Sequence, residues 1–221
     1  MAGSWAPEDL VPFPPRAYWR LFALANEVAW PVQPVLLAAS AILVLCLLGG
    51  RTPSGRWLGP ALGAAWLWTG WQFVALRYGT LHWAAPWFAW WFYAEAASLA
   101  ALGLSGRLAF AARRRAPRPA IGLLAAAVVA WPVLAPLDGR SWREAEIAAV
   151  APDPTAIASL ALFALAARSR WTALLCVVPA LWLALSAFTL STLGAWQGWA
   201  VLAALLAGLA ACVRGRHRSG A

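Results

Sequence analysis

WTALLCVVPALWLALSAFTL, residues 171–190, runs for twenty positions without a charged side chain. At 1.5 Å per residue a helix of that length covers about 30 Å, the thickness of a bilayer's hydrocarbon core. Working outward, comparable apolar runs lie at 28–48, 57–76, 83–104, 120–137 and 193–213, and a shorter one at 154–167. Trp30, Trp57, Trp83, Trp131, Trp171 and Trp196 stand near the ends of these runs, where indole rings settle at the headgroup level. The chain as a whole is 63% hydrophobic and 11% charged, far more apolar than a soluble core of 221 residues needs. These features predict an all-α, polytopic transmembrane bundle of about seven helices.

Orientation follows from the arginines, which insertion retains in short cytoplasmic loops. With seven spans, one side receives Arg51, Arg56, Arg107, Arg113, Arg114, Arg115, Arg118, Arg168, Arg170, Arg214, Arg216 and Arg218. The other receives Arg16, Arg20, Arg77, Arg140 and Arg143. Twelve against five puts the amino end outside and the carboxyl end in the cytoplasm of a bacterial inner membrane. Without the short run at 154–167 the basic tail would fall on the Arg-poor side, so that run is kept as a span.

The expected division is 1–27, an amino-terminal tail and interfacial helix; 28–213, the transmembrane domain; and 214–221, a basic cytoplasmic tail. The first fifteen residues lack the basic region and cleavage site of a signal peptide and are expected to be retained. Residues 16–26 read as an amphipathic stretch on the membrane surface, with Tyr18, Trp19, Leu21, Phe22 and Leu24 turned to the interface.

Several functions are disfavoured by composition. All seventeen basic residues are arginine, which excludes lysine Schiff-base chemistry. The arginines sit in short loops instead of forming one basic face, so no nucleic-acid partner is expected. Two histidines and three separated cysteines form no metal or haem pattern, and no cofactor is expected. No catalytic motif accompanies them.

The outer half collects the polar residues that topology does not explain. Glu95 lies near the middle of its span, where a carboxylate is costly and normally faces a partner or a cavity. Asn26 and Glu27 stand just before the first span, His82 sits in a tight outer turn, and Arg140 and Glu146 belong to the following outer loop. The run Ala151-Pro152-Asp153-Pro154-Thr155 predicts a helix starting at Pro154 with Asp153 as its cap. That helix would cover about 21 Å, so its amino end should be recessed, the setting in which broken helices hold anions.

Arg20-Leu21-Phe22 followed by Asn26 and Trp30-Pro31, and Glu146 leading into Pro152-Asp153-Pro154-Thr155, resemble an uncharacterised family of bacterial polytopic membrane proteins known only as a domain of unknown function. The resemblance covers nearly the whole chain. It implies a fold and no activity. Three roles are therefore carried forward: a small permease or permease subunit with an outer polar vestibule, a sensor or assembly protein without turnover, and a membrane enzyme acting on a lipid-linked substrate. Membrane lipids are the expected surroundings, and a homo-oligomer or a membrane partner fits the small-residue pairs Gly194 with Gly198 and Ala204 with Gly208.

Overall fold

The computed structural model describes residues 11–110, 118–167 and 169–217, with side chains as far as 213. Glu8, Asp9, Arg113, Arg114, Arg115, Arg168, Arg218 and the side chains of the 214–221 tail lie outside the described residues. The fold is all-helical. Among the described residues the β-type pairing is one isolated bridge between Phe110 and Ala166.

Helix α1, Pro15–Ala29, and helix α2, Val32–Leu48, meet at 94°. Crowding by the Pro31 ring disfavours a helical conformation at Trp30, which is extended at φ −71° and ψ 134°. The expected span at 28–48 is corrected accordingly: Val28 and Ala29 end α1, and the second helix begins at Val32. Along α1 the buried residues Tyr18, Leu21, Phe22, Ala25 and Ala29 recur at helical spacing and, with Trp19 and Asn26, face the protein. The aromatic face assigned to the lipid interface is therefore packed inside the fold, and of those residues Leu24 alone stays exposed.

Helix α3, Gly55–Trp68, runs on into a π-helical turn at Thr69–Ala75 and packs antiparallel to α4, Ala85–Leu104. Gly55, Gly59 and Gly63 share one face of α3 at a spacing of four. A Cβ at Gly59 would stand 2.7 Å from the Gly103 Cα, and one at Gly63 2.7 Å from the Ala96 carbonyl oxygen. Only bare backbone allows this approach, which gives the pair its large van der Waals contact.

Helix α5, Arg118–Leu137, bends through a π turn at Ala126–Ala130 and a 3-10 turn at Trp131–Val133 that contains Pro132. Helix α6, Pro152–Leu165, is the centre of the molecule, with all fourteen residues buried among α5, α7 and α8. A helix apolar nearly all round belongs in such a position. Helix α7, Arg170–Thr192, is irregular at Cys176 because Pro179 has no N–H for the Leu175 carbonyl. It ends where Gly194 adopts φ +70° and the Ala195 N–H returns to the Leu190 carbonyl. Helix α8, Gln197–His217, starts only after that turn, so the expected span at 193–213 is shifted.

The connections form two touching groups. In the first, the Phe13 and Tyr78 rings meet at 6.0 Å, Asn26 bonds to the 143–145 backbone, and the Trp196 indole donates to Asp138 at 2.8 Å. In the second, Gly55 backs onto the Leu108 carbonyl, the Ala167 N–H donates to the Ala109 carbonyl at 2.6 Å, and the Arg107 guanidinium lies 5.5 Å above the Trp171 ring. Outward faces carry large exposed apolar side chains, among them Leu45, Trp57, Trp87, Trp90, Leu181 and Leu206. By length and composition α5 and α7 can each cross a membrane, and the bent pair α1 and α2 satisfies the same test together; α6 and 197–213 of α8 are shorter apolar helices.

Candidate functional site

The turn after α5 brings the first charged side chain inward. Gly139 takes φ +72°, a conformation that side-chain-bearing residues rarely adopt, and the Arg140 N–H closes onto the Ala135 carbonyl at 2.9 Å. Arg140 then folds back under α1. Its guanidinium carbon lies 3.6 Å from the Trp19 ring centroid, its Nε is 3.3 Å from Asp138 Oδ2, and its Nη2 is 3.9 Å from Glu146 Oε1. Contact with an aromatic face suits guanidinium, which is only weakly hydrated.

Glu146 is 4% exposed and accepts a hydrogen bond from the Trp131 indole at 3.1 Å. Burial, reinforced by the charge of Asp153, pushes its carboxyl up to about 8; the Trp131 bond and Arg140 pull the other way without prevailing. Asp138, more open, is held below its usual value: slight burial raises it, but hydrogen bonding and Arg140 outweigh that.

Asp153 does not cap its helix. Ala151 is the extended residue before the first turn, the helix begins at Pro152, and Asp153 is its second residue. The carboxylate reaches across to α7, where Oδ1 accepts from the Trp182 indole at 2.8 Å and Oδ2 from the Ser186 hydroxyl at 2.6 Å. The Tyr18 hydroxyl also interacts with Ser186, which links α1 to the same carboxylate. With no side-chain cap, the helix start is organised by Thr155. Its hydroxyl donates to the Ala151 carbonyl at 2.7 Å and accepts from the Ala149 N–H at 2.8 Å. Ala149 has φ +69°, a strained value for alanine, and the Thr155 bond helps to hold it there.

Asn26 closes the cluster from above. Its amide donates to the carbonyls of Arg143 and Ala145, each at 2.8 Å, and its carbonyl oxygen accepts from Gln33 Nε2 at 2.7 Å. One asparagine thus ties α1, α2 and the 138–151 loop together. Asn26, Arg140, Glu146, Asp153 and Thr155 therefore share one buried region.

The other expected residues lie apart from it. Glu27 is exposed on α1. His82 is buried at the flank, its Nδ1 accepting from the Ala84 N–H at 3.1 Å and its ring stacked on Tyr78 at 5.4 Å. Glu95 is 3% exposed, and its Oε1 has no hydrogen-bond partner; it lines none of the three described cavities. Trp19 and Trp131, expected at the lipid interface, belong to the cluster instead, and Trp182 and Ser186 complete it without having been singled out in sequence. A faint signal existed in the four-residue spacing of Trp182 and Ser186, which puts two donors on one helix face. Among the described residues no group of three or more metal-ligating side chains forms.

Of the small residues expected to pair, Gly198 and Gly208 pack against the chain itself, while Gly194 lies in the turn before α8 with nothing within 4 Å of a Cβ there. A Cβ at Gly198 would meet Ser191 Oγ at 2.9 Å, and one at Gly208 the Leu160 side chain at 2.9 Å. The profile of a family of unknown function (DUF6064) matches residues 15–221. No curated protein and no solved structure matches the chain.

Proposed function

The chain belongs to the DUF6064 family, whose function is unknown, so its own geometry carries the reading, and we propose a seven-span inner-membrane protein working as a small proton-linked permease or permease subunit. The seven spans would be α2 to α8, with α1 folded across the outer end. Two features support this. The connections that touch one another are the same sets that the arginine count assigns to each side. The exposed apolar side chains also lie outward on several helices, which water would not tolerate and lipid would. Helix α4 has twenty residues, about 30 Å, which is long enough to cross the hydrocarbon.

One observation carries the transport reading. Glu146 and Asp153 are both buried, and the Arg140 guanidinium pairs with Glu146 and with Asp138, while among the described residues Asp153 has no ion-pair partner and is held by the neutral donors Trp182 and Ser186. Isolated buried charge is expensive, so the cluster balances best with a proton on one carboxyl. A proton held next to a recessed helix start, at the outer end of the bundle, suits a carrier that exchanges it with the outside. Glu95 has no part in this reading.

The test is proton movement into proteoliposomes of the full chain loaded with a pH-sensitive dye. An imposed gradient should drive a flux above that of empty vesicles, and Glu146→Gln should remove the excess while the protein remains monodisperse. Identical traces for wild type, variant and empty vesicles would leave a sensor or assembly protein as the better reading.

A further inference from the structure

We propose that the groove between α6, α7 and α8 at the Arg-rich end seats an acyl chain of one anionic phospholipid whose phosphate is held by Arg170 and Arg107. The inference rests on the membrane reading above, and takes that end as cytoplasmic.

The groove is a cavity of about 810 Å³. It exists because α7 presents short side chains, Ala173, Cys176, Ala180 and Ala184, toward α8. The distance along α7 from Arg170 to Ala184 is about 21 Å. One leaflet of hydrocarbon is about 15 Å deep, so a chain lying along α7 is covered through the whole leaflet.

The mouth of the groove selects the headgroup. Arg170 lines it, with its guanidinium 4.7 Å from the Trp171 ring centroid, and Arg107 approaches the same ring at 5.5 Å. Both arginines are exposed. The eight acidic residues of the chain are at 8, 9, 27, 95, 138, 144, 146 and 153, so no carboxylate belongs to the connections of this end. Two unneutralised guanidinium groups beside an indole at headgroup level suit a phosphate diester with no positive charge of its own. A zwitterionic headgroup would bring a cation toward two others. A free phosphate would leave the apolar groove unfilled.

Native mass spectrometry of the detergent-purified full chain, offered equal amounts of phosphatidylglycerol and phosphatidylcholine with identical acyl chains, tests this. One phosphatidylglycerol should be retained with at least a tenfold preference. Arg107→Gln with Arg170→Gln should weaken its retention about thirtyfold, at about fivefold per arginine. Ala184→Trp obstructs the inner end of the groove and should weaken retention of the acyl chain while the melting temperature and monodispersity stay at wild-type values. Equal retention of the two lipids, displacement by inorganic phosphate, or retention unchanged in Ala184→Trp would each overturn the proposal. A chain that remained in aqueous solution without detergent would instead refute the membrane reading itself.

Discussion

Replacing Asp153 by alanine removes the acceptor of two buried donors, the Trp182 indole at 2.8 Å and the Ser186 hydroxyl at 2.6 Å. A stranded buried donor costs about 1–3 kcal/mol. The serine can turn its hydroxyl toward the carbonyl four residues back, whereas the indole has no such freedom, so the total should be about 2–4 kcal/mol. In a protein of this size 1 kcal/mol shifts the melting temperature by about 2–4 °C, which places Asp153→Ala about 4–16 °C below wild type. Asp153→Asn behaves differently. Its amide oxygen can accept from Trp182 while its NH₂ donates to Ser186, leaving a cost under about 1 kcal/mol. Thermal unfolding of detergent-purified protein would separate the two. A double-mutant cycle with Trp182→Phe then isolates the indole bond, since the pair should lose less than the sum of its singles. If Asp153→Ala melts within about 2 °C of wild type, the carboxylate does not hold α6 to α7.

The raised Glu146 carboxyl has a definite sign in stability. Between its ordinary value of 4.5 and its folded value of about 8 the native chain binds the extra proton, so the melting temperature should fall as pH rises through that window and level off above it. Glu146→Gln should flatten the slope, and an unchanged slope would assign it to another group. Gly59→Leu should destabilise by about 1–3 kcal/mol or prevent assembly, because its Cβ meets backbone at 2.7 Å, whereas Gly122→Leu, with nothing within 4 Å, should be silent in the same assay. Thr155→Val removes the acceptor for the Ala149 N–H and should loosen the 147–151 turn, seen as faster amide exchange there than in the rest of the loop. Reporter fusions after Arg115 and Arg218 should be cytoplasmic and one after Arg143 outside; opposite signals at the first two would end the seven-span topology.

The helices were legible because apolar length has few interpretations. The runs at 57–76, 83–104, 120–137 and 171–190 correspond closely to α3 with its π turn, α4, α5 and α7. The discrepancies have local causes. Hydropathy does not register that Trp30 precedes a proline, so the bend between α1 and α2 was read through. Gly194 was read as part of an apolar run, although its left-handed conformation ends α7 and delays α8 to Gln197. The amphipathic pattern of α1 was real, but periodicity cannot say whether a hydrophobic face meets lipid or protein. Here it meets the 69–75 turn and the 138–151 loop.

The candidate site was half legible, and the division follows from what a sequence can encode at short range. Asn26, Arg140, Glu146, Asp153 and Thr155 drew notice because polar groups at the margin of apolar runs need an explanation. Their partners could not be read in the same way. The bonds from Asn26 to the 143–145 backbone, and from Trp182 and Ser186 to Asp153, join residues far apart in the chain. Trp131 near the end of a span and Trp19 on the amphipathic stretch were explained by the headgroup region, and Trp182 in the middle of an apolar run drew no separate notice. The error at Asp153 has the same root. In Pro-Asp-Pro the local rule favours a cap, yet at the second position of α6 the carboxylate keeps its favourable place near the helix amino end and is free to bond across to α7. Losing the cap costs little, because Thr155 gathers the 149–151 backbone in its place. The long-range bonds prevail over the local preference, and they make the carboxylate part of a charge cluster instead of a helix terminator.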